Sequence, residues 1–487
     1  MKNIFVKNIL LIFVLSTSLI SQTKEVQQFV SSMLGESPLE EDLQELCDVI
    51  GGRASGSKNN LESVEWGLKK FHEAGVSAKK EAFTVPRFWL ENKTEGKISG
   101  AANFDVRLSA MPFSISSKNG NFTGELISAG KGTDEELQKV NSKMKDKFLF
   151  IESDELKDID GLFVDYANSA RIEKYAIGLG VKGIVYMGSR PSMTMFRHNA
   201  SLGEKNKTPL FSIAREHGAR ISRLLNLGKK LSISIKSDIE EKGEYESFNV
   251  VAEIKGRTKP DEIVLIGAHL DSWDLGQGAN DNGCNISMMI DLARQITKLG
   301  IKPKRTIRFV LWNGEEQGMF GSWKYTNDHA NELDNHVMIG SIDIGSGRIN
   351  GFFTNGRADV YSEVGKALKV VSGFGPFNNL DEPVVGTDNY DFMLHGVPNF
   401  VGNHEPQVYG PTYHAESDTY DKVDLRQLRI NGAVTAAVIW YFANEDVKLP
   451  RHKRADVQKL IDNSSLRSQM DMFNLYPYWE NGSRGIK

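Results

Sequence analysis

The sequence predicts an α/β protein built on a doubly wound, largely parallel sheet, with a smaller β/α module inserted into it. Three observations carry this expectation. From residue 245 to 446, short β-branched apolar runs alternate with amphipathic helical stretches, the pattern of a sheet covered on both faces. A shorter stretch of the same alternation occupies residues 111–244. Imidazole and carboxylate residues recur just past the ends of the downstream strands, where open α/β sheets place their working crevice.

The chain of 487 residues is long enough for more than one domain. Its net charge of -4 supplies no global basic field, which argues against a nucleic-acid partner. Residues 1–21 have the layout of a signal peptide: positive Lys2 and Lys7, the apolar run Ile9–Leu15, then the small residues around Ser16, Ser18 and Ser21. The run falls short of the roughly 20 apolar residues a membrane span needs. The expectation is a secreted or periplasmic protein with no stable membrane span after signal removal. Cleavage after Ser18 or after Ser21 fits equally, and a retained anchor is the alternative.

Residues 22–110 open with helical periodicity at Val30, Met33 and Leu34, then at Leu43, Leu46, Cys47 and Ile50. The loop Gly51–Ser57 breaks it. A second helix follows with Val64, Leu68, Phe71 and Ala74 on one face, closed by Gly75. In 111–244, Phe148–Ile151, Gly183–Met187 and Thr208–Ile213 read as strands, and Tyr166–Leu179 and Ala214–Leu227 as helices. In 245–446 the strands are Asn249–Ile254, Glu262–Gly267, Thr306–Trp312, Val337–Asp343 and Pro398–Val401. The helices there are Asn285–Leu299, Ala358–Val371 and Leu425–Phe442. Residues 447–487 form a polar tail with one aromatic stretch, Tyr476–Trp479, read as surface-packed or as an interface element. The two cysteines, Cys47 and Cys284, are expected to be buried free thiols.

The chemistry sits at the strand ends. His269 and Asp271 follow one strand, Glu315 and Glu316 the next, Asp343 a third, while Asp281 precedes a helix and His414 lies far downstream. Neutral imidazole and carboxylate are zinc ligands. Two His and three carboxylates divide between two ions if one carboxylate bridges. Asp281 is the expected bridge, with His269 and Asp343 completing one site and Glu316 and His414 the other. Two adjacent acidic residues after an apolar strand are costly unless their charge is neutralised, so Glu316 is read as a ligand and Glu315 as the general base. Asp271 is expected to accept the second N–H of His269 and fix its tautomer.

These residues lie in segments that resemble the secreted zinc exopeptidase family with co-catalytic metals: Gly267–Asp274, Gly276–Asp281, Pro303–Thr306, Leu311–Gly318 and His414–Thr419, with Gly51-Gly52-Arg53 and Gly56-Ser57 upstream. The likeness covers nearly the whole chain after the leader except the tail. It implies a catalytic α/β domain interrupted by a protease-associated domain, here 111–244, two zinc ions per subunit, and the ligand roles assigned above. It also implies a short peptide substrate and, for some members, dipeptide hydrolysis and a homodimer. Two departures stand out: Asn282 where many relatives carry a second acidic residue, and Ile342-Asp343-Ile344-Gly345 in place of acidic or small neighbours.

The expected activity is therefore peptide-bond hydrolysis near a free terminus, as a carboxypeptidase or dipeptidase, or as an aminopeptidase on the same scaffold. Tyr413 is either an oxyanion donor or a packing residue. Asp388 either reads a free substrate amine or is an ordinary turn residue. The competing classes are a non-catalytic binding ectodomain, which would hold no stoichiometric zinc, and a single-zinc glutaminyl cyclase-like acyltransferase.

Overall fold

The structure, a computed structural model, describes residues 24–405 and 409–487; the signal-peptide expectation for 1–21 lies outside them. Two sheets organise the chain. The first has seven strands: β1 (Ser77–Val85), β10 (Tyr245–Ile254), β11 (Lys259–His269), β12 (Arg305–Trp312), β13 (His336–Ser341), β14 (Ile349–Phe353) and β15 (Asn399–His404), in the order β1-β10-β12-β11-β13-β15-β14. The central strands β12, β11, β13 and β15 run parallel. The strands β1, β10 and β14 pair antiparallel with their neighbours. The sheet is thus mixed, not largely parallel. The physical reason is that both flanks are built by chain reversal instead of helical crossover, and only a crossover returns a strand parallel.

The sheet is covered on both sides. Along β11, Val264, Ile266 and Ala268 point into one core, while Ile263 and Leu265 point into another, the period-two alternation of a strand. The first core is packed by the helices Lys58–Glu73, Cys284–Leu299 and Leu425–Asn444. The side chain of Ser57 caps the first of these by accepting from the Asn60 N–H. Gly300, in the left-handed region at φ 64°, ends the second. Phe320–Asp328 and Asn389–Leu394 cover the other face through Tyr325 and Phe392.

Val85 at the end of β1 pairs with Tyr245 at the start of β10. Everything between them forms a second sheet, from β2 (Phe88–Gly100), β3 (Phe104–Val106), β4 (Leu108–Ala110), β5 (Phe122–Ser128), β6 (Phe148–Ile151), β7 (Gly183–Met187), β8 (Leu210–Ile213) and β9 (Leu231–Lys242). Their order is β3-β2-β9-β5-β6-β7-β8-β4. The inserted module therefore begins at β2, not after Ala110. Past Phe88-Trp89-Leu90, the long strand β2 is exposed or half-buried except at Ile98 and offers no further apolar run for a sequence reading to find. Within the insert, the helix expected over Tyr166–Leu179 starts earlier, at Ile159, behind an Asp158 cap.

The C-terminal residues are more than a polar surface tail. The helices Arg454–Asn463, Leu466–Met472 and Tyr476–Glu480 bury Val457, Ile461, Leu466, Met470 and Trp479 against Tyr390, Met393 and Leu394. Arg484 is buried and makes two hydrogen bonds of 2.7 Å to the Asp391 carboxylate. Cys47 and Cys284 are both free and buried. Among the described residues no helix is long and apolar enough to cross a membrane.

Candidate metal centre and catalytic cleft

Three adjacent parallel strands, β12, β11 and β13, deliver most of the site from their carboxyl ends. His269 is the last residue of β11 and pairs in register with Trp312, the last of β12. The chain continues from Trp312 through Asn313 and Gly314, whose φ of 74° opens the turn, to Glu315 and Glu316. Asp343 lies two residues past the end of β13. Asp281 sits in the turn entering the helix Cys284–Leu299, and the Asp281–Asn282 peptide is cis. His414 comes from the loop after β15.

All five expected ligands meet in two triads that share Asp281: His269, Asp281 and Asp343, and Asp281, Glu316 and His414. The His269 Nε2 lies 2.8 Å from Asp343 Oδ1 and 3.2 Å from Asp281 Oδ1. The His414 Nε2 lies 2.9 Å from Glu316 Oε2 and 3.5 Å from Asp281 Oδ2. Asp281 thus turns one carboxylate oxygen toward each imidazole.

The charge balance calls for cations. Asp281, Glu316 and Asp343 are buried, and among the described residues their ion-pair partners are imidazoles, not Lys or Arg. Asp281 Oδ2 and Glu316 Oε1 are buried and accept no hydrogen bond. Burial pushes the carboxyls of Glu315 and Glu316 well above their ordinary value, and the nearby carboxylates add to it: Asp343 and Glu316 for the first, Asp281 for the second. Burial opposes a charge on His269, yet Asp343 and Asp281 hold its pKa well above normal. His414, with less compensation, is pushed down by burial to about 4. So many carboxylates in a dry pocket would be stabilised by a bound cation, and a mixed imidazole–carboxylate donor set suits a zinc-type divalent ion.

Surrounding residues hold these groups in place. The expected contact from His269 to the Asp271 carboxylate is not made: the His269 Nδ1 is 2.9 Å from the Asp271 backbone carbonyl and 3.9 Å from its carboxylate. The carbonyl accepts the Nδ1–H and leaves the Nε2 lone pair facing Asp281 and Asp343. The Asp271 carboxylate instead accepts from the Ser55 hydroxyl at 2.6 Å and from the backbone N–H groups of Glu315 and Glu316, both at 3.3 Å. It fixes the acidic turn, because Asp271, two residues past the end of β11, reaches the turn after neighbouring β12.

Asp418 does the same for the bridge, accepting the N–H of Asn280 at 2.8 Å and of Asp281 at 3.1 Å. Burial raises Asp418 to about 7. Arg53, fully buried, donates to the carbonyls of Leu270, Gln277 and Gly278 and so ties the two loops together. Neither Asp418 nor Arg53 received a role from the sequence, although both lie in motifs that stood out in it. No local pattern marks a side chain whose work is to hold a distant loop.

The substrate-contact expectations fare differently. Tyr413 lines the cleft beside His414, its ring stacked on the imidazole at 3.6 Å between centroids. Its hydroxyl lies 3.3 Å from that of Tyr166 in the insert. Asp388 is 1% exposed and is not among the residues that line the cleft. It precedes the helix Asn389–Leu394, every residue of which is buried, and is carried inward with it. Tyr409, which lines the cleft and donates to the Asp343 carbonyl at 3.3 Å, was not anticipated.

The insert reaches into the site. His414 has φ 55°, uncommon for a residue with a side chain. Its carbonyl accepts the Arg197 N–H at 2.9 Å, and Phe196 bridges Ala415. The buried Arg197 guanidinium joins Glu91 of the insert to Asp274 in the loop after β11.

Comparison with known proteins agrees with this geometry. Residues 249–439 match the model of peptidase family M28. Carboxypeptidase Q of Homo sapiens is 27% identical over 84% of this chain and 86% of its own length. The crystal structure of a peptidase M28 precursor from Shewanella amazonensis superposes with a TM-score of 0.80 at 29% identity, over 88% of this chain and 98% of that one. A zinc aminopeptidase from Bacillus subtilis has the same fold, with a TM-score of 0.65 at 22% identity over 84% of this chain and 95% of its own. All five clustered residues and Glu315 lie inside the segment that matches the peptidase family M28 model.

Proposed function

We propose that the protein is a di-zinc metallo-exopeptidase that hydrolyses dipeptides and short peptides, with the carboxypeptidase Q type of specificity, and that it works outside the cytoplasm. The observation that carries this reading is the Asp281 carboxylate, with its two oxygens 3.2 Å and 3.5 Å from two different buried imidazoles. His269 and Asp343 would hold one ion, Glu316 and His414 the other, and Asp281 both. Two zinc ions bound there supply a Lewis acid for the scissile carbonyl and a water made nucleophilic near neutral pH.

The chain's own residues do the rest. Glu315 is next in sequence to one ligand and lines the same cleft, placed to accept the proton of the attacking water and return it to the leaving amine. Asp271 holds Glu315 through its backbone N–H, so the base is positioned by a hydrogen bond that does not compete with its carboxylate. Tyr413 is the proposed donor to the developing oxyanion.

The Glu315→Gln variant tests the base. It should retain its zinc by elemental analysis and lose about 10²–10⁴ in kcat, the range for a general base. Unchanged turnover would overturn the assignment. The zinc aminopeptidase of B. subtilis shares the fold, so the terminus being read is tested separately. Cleavage confined to N-blocked dipeptides marks a carboxypeptidase, and cleavage confined to aminoacyl-anilides marks an aminopeptidase.

A further inference from the structure

The cleft is closed at one end by a part of the chain that neither the ligand set nor the proposed mechanism uses. Tyr478, from the C-terminal helix Tyr476–Glu480, lines the cleft together with Phe473 and the insert residue Glu204. Its hydroxyl accepts from Lys205 Nζ at 2.7 Å and donates to Glu204 Oε1 at 3.3 Å, both on the insert. The Lys205 ammonium also lies 4.6 Å from the centre of the Tyr478 ring. On the catalytic side, Trp323 packs edge-on against Tyr478 at 5.4 Å. Phe473 meets the insert's Tyr166 at 5.4 Å.

Tail, insert and catalytic domain thus converge on one ring. The tail is anchored, not loosely draped, because Arg484 is paired with Asp391 in the protein interior and Trp479 is fully buried. The cleft lined by both this wall and the ligand cluster holds about 160 Å³, below the ≈ 300–1,000 Å³ of an ordinary small-molecule cleft; the larger cavity of about 830 Å³ past Asp343, Tyr409 and Tyr413 is not lined by Tyr478. A chain extended from the ligand cluster toward Tyr478 would meet this wall.

Resting on the metallo-exopeptidase reading above, we propose that Tyr478, held by Lys205 and Glu204 and backed by Phe473, is the residue that limits substrates to about two residues. Tyr478 acts by exclusion: it removes the space that a third residue would occupy, and the Lys205 bond keeps the ring from swinging aside.

The test uses peptides of two, three and four residues with the same side chains around the scissile bond. The full-length protein should favour the dipeptide over the tetrapeptide by at least tenfold in kcat/KM, and Tyr478→Ala should reduce that preference to below threefold. Lys205→Ala, an exposed substitution that leaves the packing intact, should reduce it partway. A tetrapeptide cleaved as well as the dipeptide by the unaltered protein, or a preference unchanged in both variants, overturns the proposal.

Binding gives a readout independent of turnover. In Glu315→Gln, calorimetric affinity should fall at least tenfold from dipeptide to tetrapeptide, and the added Tyr478→Ala should restore it. If the unaltered protein binds peptides with this length dependence but cleaves none, the peptidase reading fails and the wall stands. If affinity does not depend on length, the wall fails and the peptidase reading stands.

Discussion

At the scale of single residues, the site is organised by what each group is denied. Glu315 and Glu316 sit in a buried turn with no Lys or Arg paired to them among the described residues, and a single side chain, Asp271, holds both of their backbone N–H groups. This makes Asp271 a positioning residue acting through hydrogen bonds to neighbours. Replacing it by Asn puts an amide donor either in place of Oδ1, which accepts the Glu315 N–H, or in place of Oδ2, which accepts the Ser55 hydroxyl and the Glu316 N–H. The expected cost is about 1–3 kcal/mol for a buried donor left unsatisfied, read from urea unfolding, together with reduced kcat at undiminished metal content. Unaltered stability and turnover would show that the turn holds itself.

Histidine tautomers follow the same logic. The Asp271 carbonyl, 2.9 Å from His269 Nδ1, sets which nitrogen carries the proton. A sequence reading could see that His and Asp two residues apart share one side of an extended chain. It could not see that the nearer acceptor would be the main chain.

At the scale of elements, strand ends do the assembling. The strands β12, β11 and β13 are neighbours and parallel, so three loops carrying His269, Glu315, Glu316 and Asp343 emerge side by side. This much was legible, because each strand carries a short apolar or β-branched run and an imidazole or carboxylate residue lies at its end or in the turn that follows. The edges were not legible. Strand β1 exposes most of its residues, and its place in the sheet is set by pairing with β10, across the whole inserted module.

That edge carries a pH-dependent contact. His329, at the end of the helix Phe320–Asp328, lies 2.9 Å from Glu81 on β1 and also bonds Glu332. Glu332 is held in turn by Arg308 of β12. Burial opposes the His329 charge, but Glu81 and Glu332 raise its pKa. Burial likewise opposes charge on Glu81, but His329 and Lys79 lower it to about 2.

The signs define a window. The His329 contribution is complete below its unfolded pKa of about 6.5 and is lost as pH rises through the higher folded value. The Glu81 contribution is complete above its unfolded pKa of about 4.3 and is lost as pH falls toward 2. His329→Gln should therefore cost more stability at pH 5.5 than at pH 9, measured by urea unfolding at both. An equal loss at the two pH values would show that the ring matters only for packing.

At the scale of the whole molecule, three chain regions build one cleft. The insert supplies Lys205 and Glu204, which bond Tyr478, and, through Arg197 and Phe196, the backbone contacts beside His414 at its uncommon φ. The C-terminal helices close one end and are fastened by the buried Arg484–Asp391 pair. Neither contribution could be read from the sequence, because both are contacts between segments far apart in the chain, and the tail reads as polar. The ligand cluster could be read because its chemistry is confined to a few residue types at strand ends.

The central claim is that Asp281 joins two cation sites in one pocket. Its most direct test is anomalous diffraction at the zinc edge from crystals of the full-length protein, with elemental analysis of the same preparation. Two zinc atoms per chain on either side of Asp281, one beside His269 and Asp343 and the other beside Glu316 and His414, is the predicted result. A single zinc, or none, with the Asp281 carboxylate left free of metal, would contradict it.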